Sequence, residues 1–378
     1  MNSMANILIL GGGFGGVVAA EALARELGHE HQITLVSRSS RFMFYPALVR
    51  LAFGKCEPDD VSFDLREAML DRGVRFIEGE VARINPHSRR VTMAHGEVEG
   101  DLPYDYLIFA LGRRLATEEI TGFFEYSHHL LTPEGALEFG EALRDFHKGR
   151  AIVGQCPGAR LPVPVYETAF ALSRLLEQRG ERDQVRITVV SPDPPGLQFG
   201  DGDIARALRT ALDDHSIEYL PDFPIDKVTP GAVSTSNGHA LNYNLLMLLP
   251  PFRGPGAVAG FGITDEEDYL GVDWAMRVQG VERMYAVGDC VNFNGPKLGH
   301  MAVHQGEVAA VNLALEIKGV EPVAAYNHEM MLIIDEGAGD TIYLHKGLWV
   351  DEPAVVRQGH FWNWAKRIHE KYWLARHS

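Results

Sequence analysis

Cysteine is scarce in this chain: three among 378 residues, at positions 56, 156 and 290. That excludes a disulfide framework and leaves each thiol to be redox-active, catalytic or a small core residue. Basic charge is also short. Thirty-five Lys and Arg face 51 Asp and Glu, for a net charge of −16. This argues against nucleic acid as a partner, because phosphate backbones require clustered cations. No run approaches the ~18 uninterrupted apolar residues of a membrane span. Nor does MNSMANILIL read as a secretion leader: it has no basic segment, and its apolar run meets Gly11 almost at once. The default expectation is a cytoplasmic protein. No metal site is expected. What the chain does have is glycine, 39 copies, and 46% hydrophobic residues. Those suit an α/β protein of two or three domains, rich in tight turns.

The N-terminus carries the strongest local signal. NILILGGGFGGVVAAEALAREL reads as strand, glycine turn and helix, with Gly11, Gly13 and Gly16 in G-x-G-x-x-G spacing. The first glycine allows a sharp turn, the second a close approach to a pyrophosphate, and the third tight helix packing. The helix start then offers free N–H groups to phosphate. The next strand, QITLVSR, ends in Ser37 and Arg38 where a ribose-binding acid is usual. Ser37 can still bond a ribose hydroxyl. Arg38 fits either a 2′-phosphate or a solvated rim.

A second strand–turn–helix begins at RAIVG, but Gly154-Gln155-Cys156-Pro157-Gly158 replaces the phosphate-binding glycines. Cys156 obstructs the second glycine position, and Pro157, Pro162 and Pro164 remove donors that a phosphate needs. Ser191 stands where the acid of this second unit belongs. The scaffold is retained and a second dinucleotide is not expected. Cys156 is then either a nucleophilic thiol near a helix start or a small apolar filler.

In GGGFGG, ITLVSR, FMFYPALVRLAFG, YDYLIFALG, LPVPVYETAFAL, YAVGDC and GPKLGHMA the chain resembles the flavoprotein disulfide-reductase superfamily. Within it, the chain is most similar to sulfide:quinone oxidoreductases, flavocytochrome c sulfide dehydrogenase flavoproteins and type II NADH:quinone oxidoreductases. The resemblance implies two Rossmann-like dinucleotide-binding domains in an α/β fold. Residues 1–115 and 240–325 would form a discontinuous FAD domain. Residues 116–239 would form the inserted NAD-like domain, and 326–378 a C-terminal region. It further implies an FAD site at Gly11, Gly13, Phe14, Gly15, Gly16, Ser37, Arg38, Pro46, Val81, Ala110, Gly112, Gly288, Asp289 and Lys297. Catalytic roles fall to Cys156, Lys297 and His300, with Phe42 and Tyr45 beside a quinone. The second redox cysteine usual in sulfide:quinone enzymes is missing from YNHEMMLIIDEGAGDTIYL, so a two-thiol relay would need Cys156 with Cys56 or Cys290. The implied activity is transfer of two electrons from a small reductant, sulfide foremost, to quinone. The alternatives are NADH as donor, or a soluble flavoprotein subunit serving another redox protein.

The tail returns the question of location. Phe361, Trp364 or Ala365, Ile368 and Tyr372 share one helical face, among Lys366, Arg367, Lys371 and Arg376. Such an aromatic and basic helix suits an interfacial anchor. A helix docked on the body, or at a homodimer interface, is the plainer alternative. With the resemblance, the expected location is peripheral, on the cytoplasmic side of a membrane.

Overall fold

The computed structural model describes residues 4–378. Its larger sheet has seven strands, ordered Met284–Ala286, Tyr106–Phe109, Asn6–Leu10, Gln32–Ser37, Arg75–Asn85, Arg90–Gly96 and Asp101–Pro103. The first five run parallel; the last two add on as an antiparallel meander. The central strand Asn6–Leu10 is almost wholly apolar and buried, as a parallel strand covered on both faces must be. The edge strand Met284–Ala286 comes from the far end of the sequence, so this sheet is assembled from two separated stretches of chain.

A second sheet is fully parallel: Glu218–Leu220, Val185–Val190, Gly149–Gln155 and Leu245–Leu249. The strand LLMLL at Leu245–Leu249 was expected to fall in the first domain, beyond a boundary at residue 240. It pairs instead with Gly149–Gln155, so the inserted unit extends through Leu249. The five-residue apolar run gave no cue to its partner, because a buried parallel strand looks alike in either sheet.

The C-terminal region begins with an antiparallel sheet of Glu329–Gly337, Asp340–Gly347 and Val355–Gln358. It lies against the helix Val163–Arg179 of the inserted unit. A final helix, Phe361–His377, follows Gly359. Among the described residues no helix is long and apolar enough to cross a membrane.

Candidate functional site

Gly11 turns the chain at φ +111°, and a Cβ there would lie 2.1 Å from the Ala110 carbonyl oxygen. Only glycine is tolerated. A Cβ on Gly16 would meet the Gly11 carbonyl at 1.9 Å, so this glycine lets the helix Phe14–Leu27 press onto the turn. Gly13 differs: a Cβ there would meet nothing within 4 Å. Its missing side chain leaves open the space before the helix end.

The long helix Gly299–Ile317 crosses Phe14–Leu27 at a glycine contact, where a Cβ on Gly306 would stand 2.5 Å from the Gly15 carbonyl. The crossing brings two helix starts together, with Gly299 against the Phe14 ring. Neither start has a side-chain cap or an acidic residue in its first turn. Two bare helix ends thus aim N–H donors and partial positive charge into one region, which suits an anionic ligand.

Around this region stand most of the residues expected from the sequence. Ser37 ends its strand beside Gly12, whose Cβ would lie 2.7 Å from the serine hydroxyl. Gly112, at φ +71°, follows Ala110 out of the sheet. Val81 is half-buried at a bulge in Arg75–Asn85. Pro46 and Arg38 are exposed. The Gly288 N–H donates to Gln305 Oε1 at 2.6 Å, tying the turn to the long helix. Asp289 pairs with Arg113, whose guanidinium lies 4.2 Å from the Phe252 ring centroid.

Lys297 is buried at 6% exposure in the pocket that Gly288, Asp289, Gln305 and His328 also line. Its Nζ donates to the Val291 carbonyl and sits 4.5 Å from the Tyr269 ring centroid. Burial, with Arg160 nearby, pulls the ammonium down to about 7. His328 is hydrogen-bonded at both nitrogens: Tyr326 Oη at 2.9 Å from Nδ1, and the Asn294 carbonyl at 2.7 Å from Nε2. A carbonyl only accepts, so Nε2 carries the proton and Nδ1 receives the tyrosine hydroxyl. Burial holds this ring toward its neutral form.

The proline-rich loop of the inserted unit holds the rim of this pocket. Arg160 donates to the carbonyls of Phe293 and Gly295, and its own carbonyl accepts from the Lys297 N–H at 2.7 Å. Gln155 Nε2 donates to Ser191 Oγ at 2.8 Å, both buried. The buried Tyr166 hydroxyl accepts from the Gly196 N–H at 3.2 Å, and Phe199 is fully buried close by.

Packing bears on four of the expectations. Cys156 is 0% exposed, enclosed by Ile152, Phe223, Leu248 and their neighbours, and burial pushes its thiol far up. Its side chain enters the small second core and does not line the Lys297 pocket, which favours the apolar filler of the two readings. All three cysteines are free. Cys290 donates to the Val287 carbonyl at 3.2 Å and burial pushes it up to about 12; Cys56 is also pushed up by burial. Phe42, expected beside a quinone, is enclosed by Phe14, Phe63 and Trp373 at centroid distances of 5.2, 4.8 and 4.7 Å. Tyr45 remains open at 50% exposure. His300 is tied to the strand Glu329–Gly337: its Nε2 lies 3.2 Å from both the Glu329 carbonyl and the Met331 N–H. That bond fixes the helix start to the C-terminal sheet and leaves the ring outside the Lys297 pocket.

Arg113, Arg160, Tyr269, Tyr326 and His328 were not singled out from sequence. Only Arg113 had a nearby cue, the strand-ending Gly112; the others act across long sequence distances.

The pyridine nucleotide-disulphide oxidoreductase family pattern matches residues 5–306. Sulfide-quinone reductase of Aquifex aeolicus (strain VF5) is 30% identical over 266 residues, 68% of this chain and 61% of that one. This match therefore spans less than two thirds of that relative's length. Type II NADH:quinone oxidoreductase of Haemophilus influenzae is 24% identical over 327 residues, 76% and 73% of the two chains. Among solved structures, the sulfide:quinone oxidoreductase of Aquifex aeolicus superposes with a TM-score of 0.91 at 26% identity, covering 98% of this chain and 91% of that one.

Proposed function

The chain belongs to the pyridine nucleotide-disulphide oxidoreductase family and is an FAD-binding flavoprotein, and from that premise we propose that it carries two electrons from sulfide to a quinone at a membrane surface. The second strand–turn–helix carries this reading. Cys156 and Pro157 stand in its turn in place of phosphate-binding glycines, and Gln155, Ser191, Tyr166 and Phe199 are buried behind it, which supports a small reductant as donor rather than a pyridine nucleotide. Overall, HS⁻, H⁺ and quinone become zero-valent sulfur and quinol.

FAD fits the residues of the first site. The Gly11–Gly16 turn and the bare helix start would hold its pyrophosphate, and Ser37 its ribose. Asp289 with Arg113 would face the polyol chain. When bound, FAD supplies two-electron storage, so that donor and acceptor need not meet. Lys297 and the start of Gly299–Ile317 favour negative charge in the pocket. With its affinity for a proton near neutrality, Lys297 Nζ can hold or release one there. The Tyr326–His328 pair keeps one tautomer fixed at the pocket wall.

On the acceptor side, the exposed Tyr45 and the outward stripe of the last helix support a quinone drawn from lipid, with the protein lying on the cytoplasmic face. A homodimer would cover the same stripe, and vesicle flotation separates the two. Stopped-flow mixing of the yellow protein with sulfide or NADH under anoxia tests the donor: rapid bleaching by sulfide and slow bleaching by NADH are expected. The reverse order would replace this reading with NADH:quinone oxidoreduction. Gly13→Val should yield protein without FAD, read from its absorbance, because a branched side chain would occupy the open space before the helix.

A further inference from the structure

We propose that a cleft remote from the flavin site binds a small aliphatic diamine. The cleft has a volume of about 230 Å³ and lies between the helix Val163–Arg179, the end of the helix Gly202–Asp214 and the C-terminal sheet. Its lining includes Arg174, Asp214, His215, Glu336, Asp340 and Thr341. None of them belongs to the pocket around Lys297.

Two of these side chains lack the partners that buried polar groups require. Glu336 is 9% exposed, and among the described residues its carboxyl makes no hydrogen bond or ion pair. His215 is 6% exposed with neither ring nitrogen hydrogen-bonded; its ring rests 5.0 Å from that of Phe170. The cation in the wall is committed through its terminal nitrogens, Arg174 reaching Glu177 at 3.1 Å and Asp340 at 3.4 Å, and among the described residues only its buried Nε lacks a partner. Thr341 is committed too, donating to the Gly359 carbonyl.

The charge of the lining selects the occupant. When Glu336 is ionised, three carboxylates face one guanidinium, an excess of two negative charges in a partly enclosed space. An anion is repelled. A bare metal ion is poorly served, because no three His, Cys, Asp or Glu groups among the described residues converge as metal ligands. A dication carrying several N–H donors answers both the charge and the missing hydrogen bonds. One ammonium would meet Glu336 inside the cleft. The other would meet Asp214 at the exposed rim.

Titration calorimetry of the full-length, FAD-loaded protein with 1,4-diaminobutane at pH 8 tests the site. One saturable site per chain is expected. Asp214→Asn and Glu336→Gln should each weaken it about tenfold, the worth of one charge-assisted hydrogen bond. Asp214 is exposed, so its variant folds and tests the site even if the other does not. The proposal is overturned by an absence of binding heat, by equal affinity in the Asp214→Asn variant, or by saturable binding of magnesium chloride and not of the diamine.

Discussion

Glu336 is an acid held against its own interest. Burial, with Asp340 next, raises it from the model-peptide 4.5 to about 7, so the folded chain keeps a proton that the unfolded chain releases. Below about pH 4.5 both states are protonated and nothing is lost. As pH rises toward 7 the unfolded state ionises first, and stability falls until the folded carboxyl ionises as well. Glu336→Gln keeps the neutral form at every pH. It should match the parent near pH 4 and exceed it by about 3 kcal/mol above pH 7, measured by urea unfolding at pH 4.5 and 8. A gap independent of pH would refute the assignment. At Cys156 the expected outcome is a dissociation. Cys156→Ser should lose about 1–3 kcal/mol by burying an unpaired hydroxyl, while the rate of sulfide-driven bleaching stays unchanged. The sequence marked Cys156 as interesting because it sits in a motif turn. It could not show that the side chain points into the small core with Phe223 and Leu248, residues more than sixty positions away.

Among elements, the crossing of the two glycine-bearing helices fixes the geometry of the site. Gly306→Val drives a branched side chain into the Gly15 backbone and should lower stability by about 1–3 kcal/mol, with FAD content falling in parallel. Retention of full FAD content at reduced stability would separate the crossing from cofactor binding. The first strand–turn–helix was legible because its signals are local: apolar run, glycines, helix pattern. The second was legible as a scaffold for the same reason. What lay beyond reach was the grip of Arg160 on the loop before Lys297. That contact joins residues 135 apart and ends on backbone carbonyls, which carry no sequence signature. The strand Leu245–Leu249 was misassigned for a similar reason: its pairing, not its composition, decides its sheet.

At the scale of the molecule, the last helix has two working faces. Phe361, Trp364, Ile368 and Tyr372 point outward at 45–63% exposure, along the stripe that the sequence spacing marked. The opposite face is docked, an alternative the sequence also allows, but its partners were not legible because they come from distant parts of the chain. Trp373 sits 4.9 Å from Phe14 and 4.7 Å from Phe42; Glu370 grips Arg50 at 2.6 Å; Lys366 pairs with Glu167; His377 meets Glu21 at 2.7 Å. Replacing the four outward residues with serine should abolish vesicle flotation and leave unfolding unchanged. Trp373→Ala should cost about 3–5 kcal/mol in chemical denaturation. If the serine variant still floats, the stripe is not the lipid contact.

The docked face reaches both halves of the molecule. Arg50 and Glu21 belong to the larger sheet's domain, while Glu167 sits on a helix of the inserted unit. The terminal helix therefore adds a third tie between two units that the Arg160 grip and the packing of Leu48–Ala52 on Pro133–Asp145 already join. Heat should melt the intact chain in a single calorimetric peak, and clipping it after Gly359 should move that peak to lower temperature without dividing it.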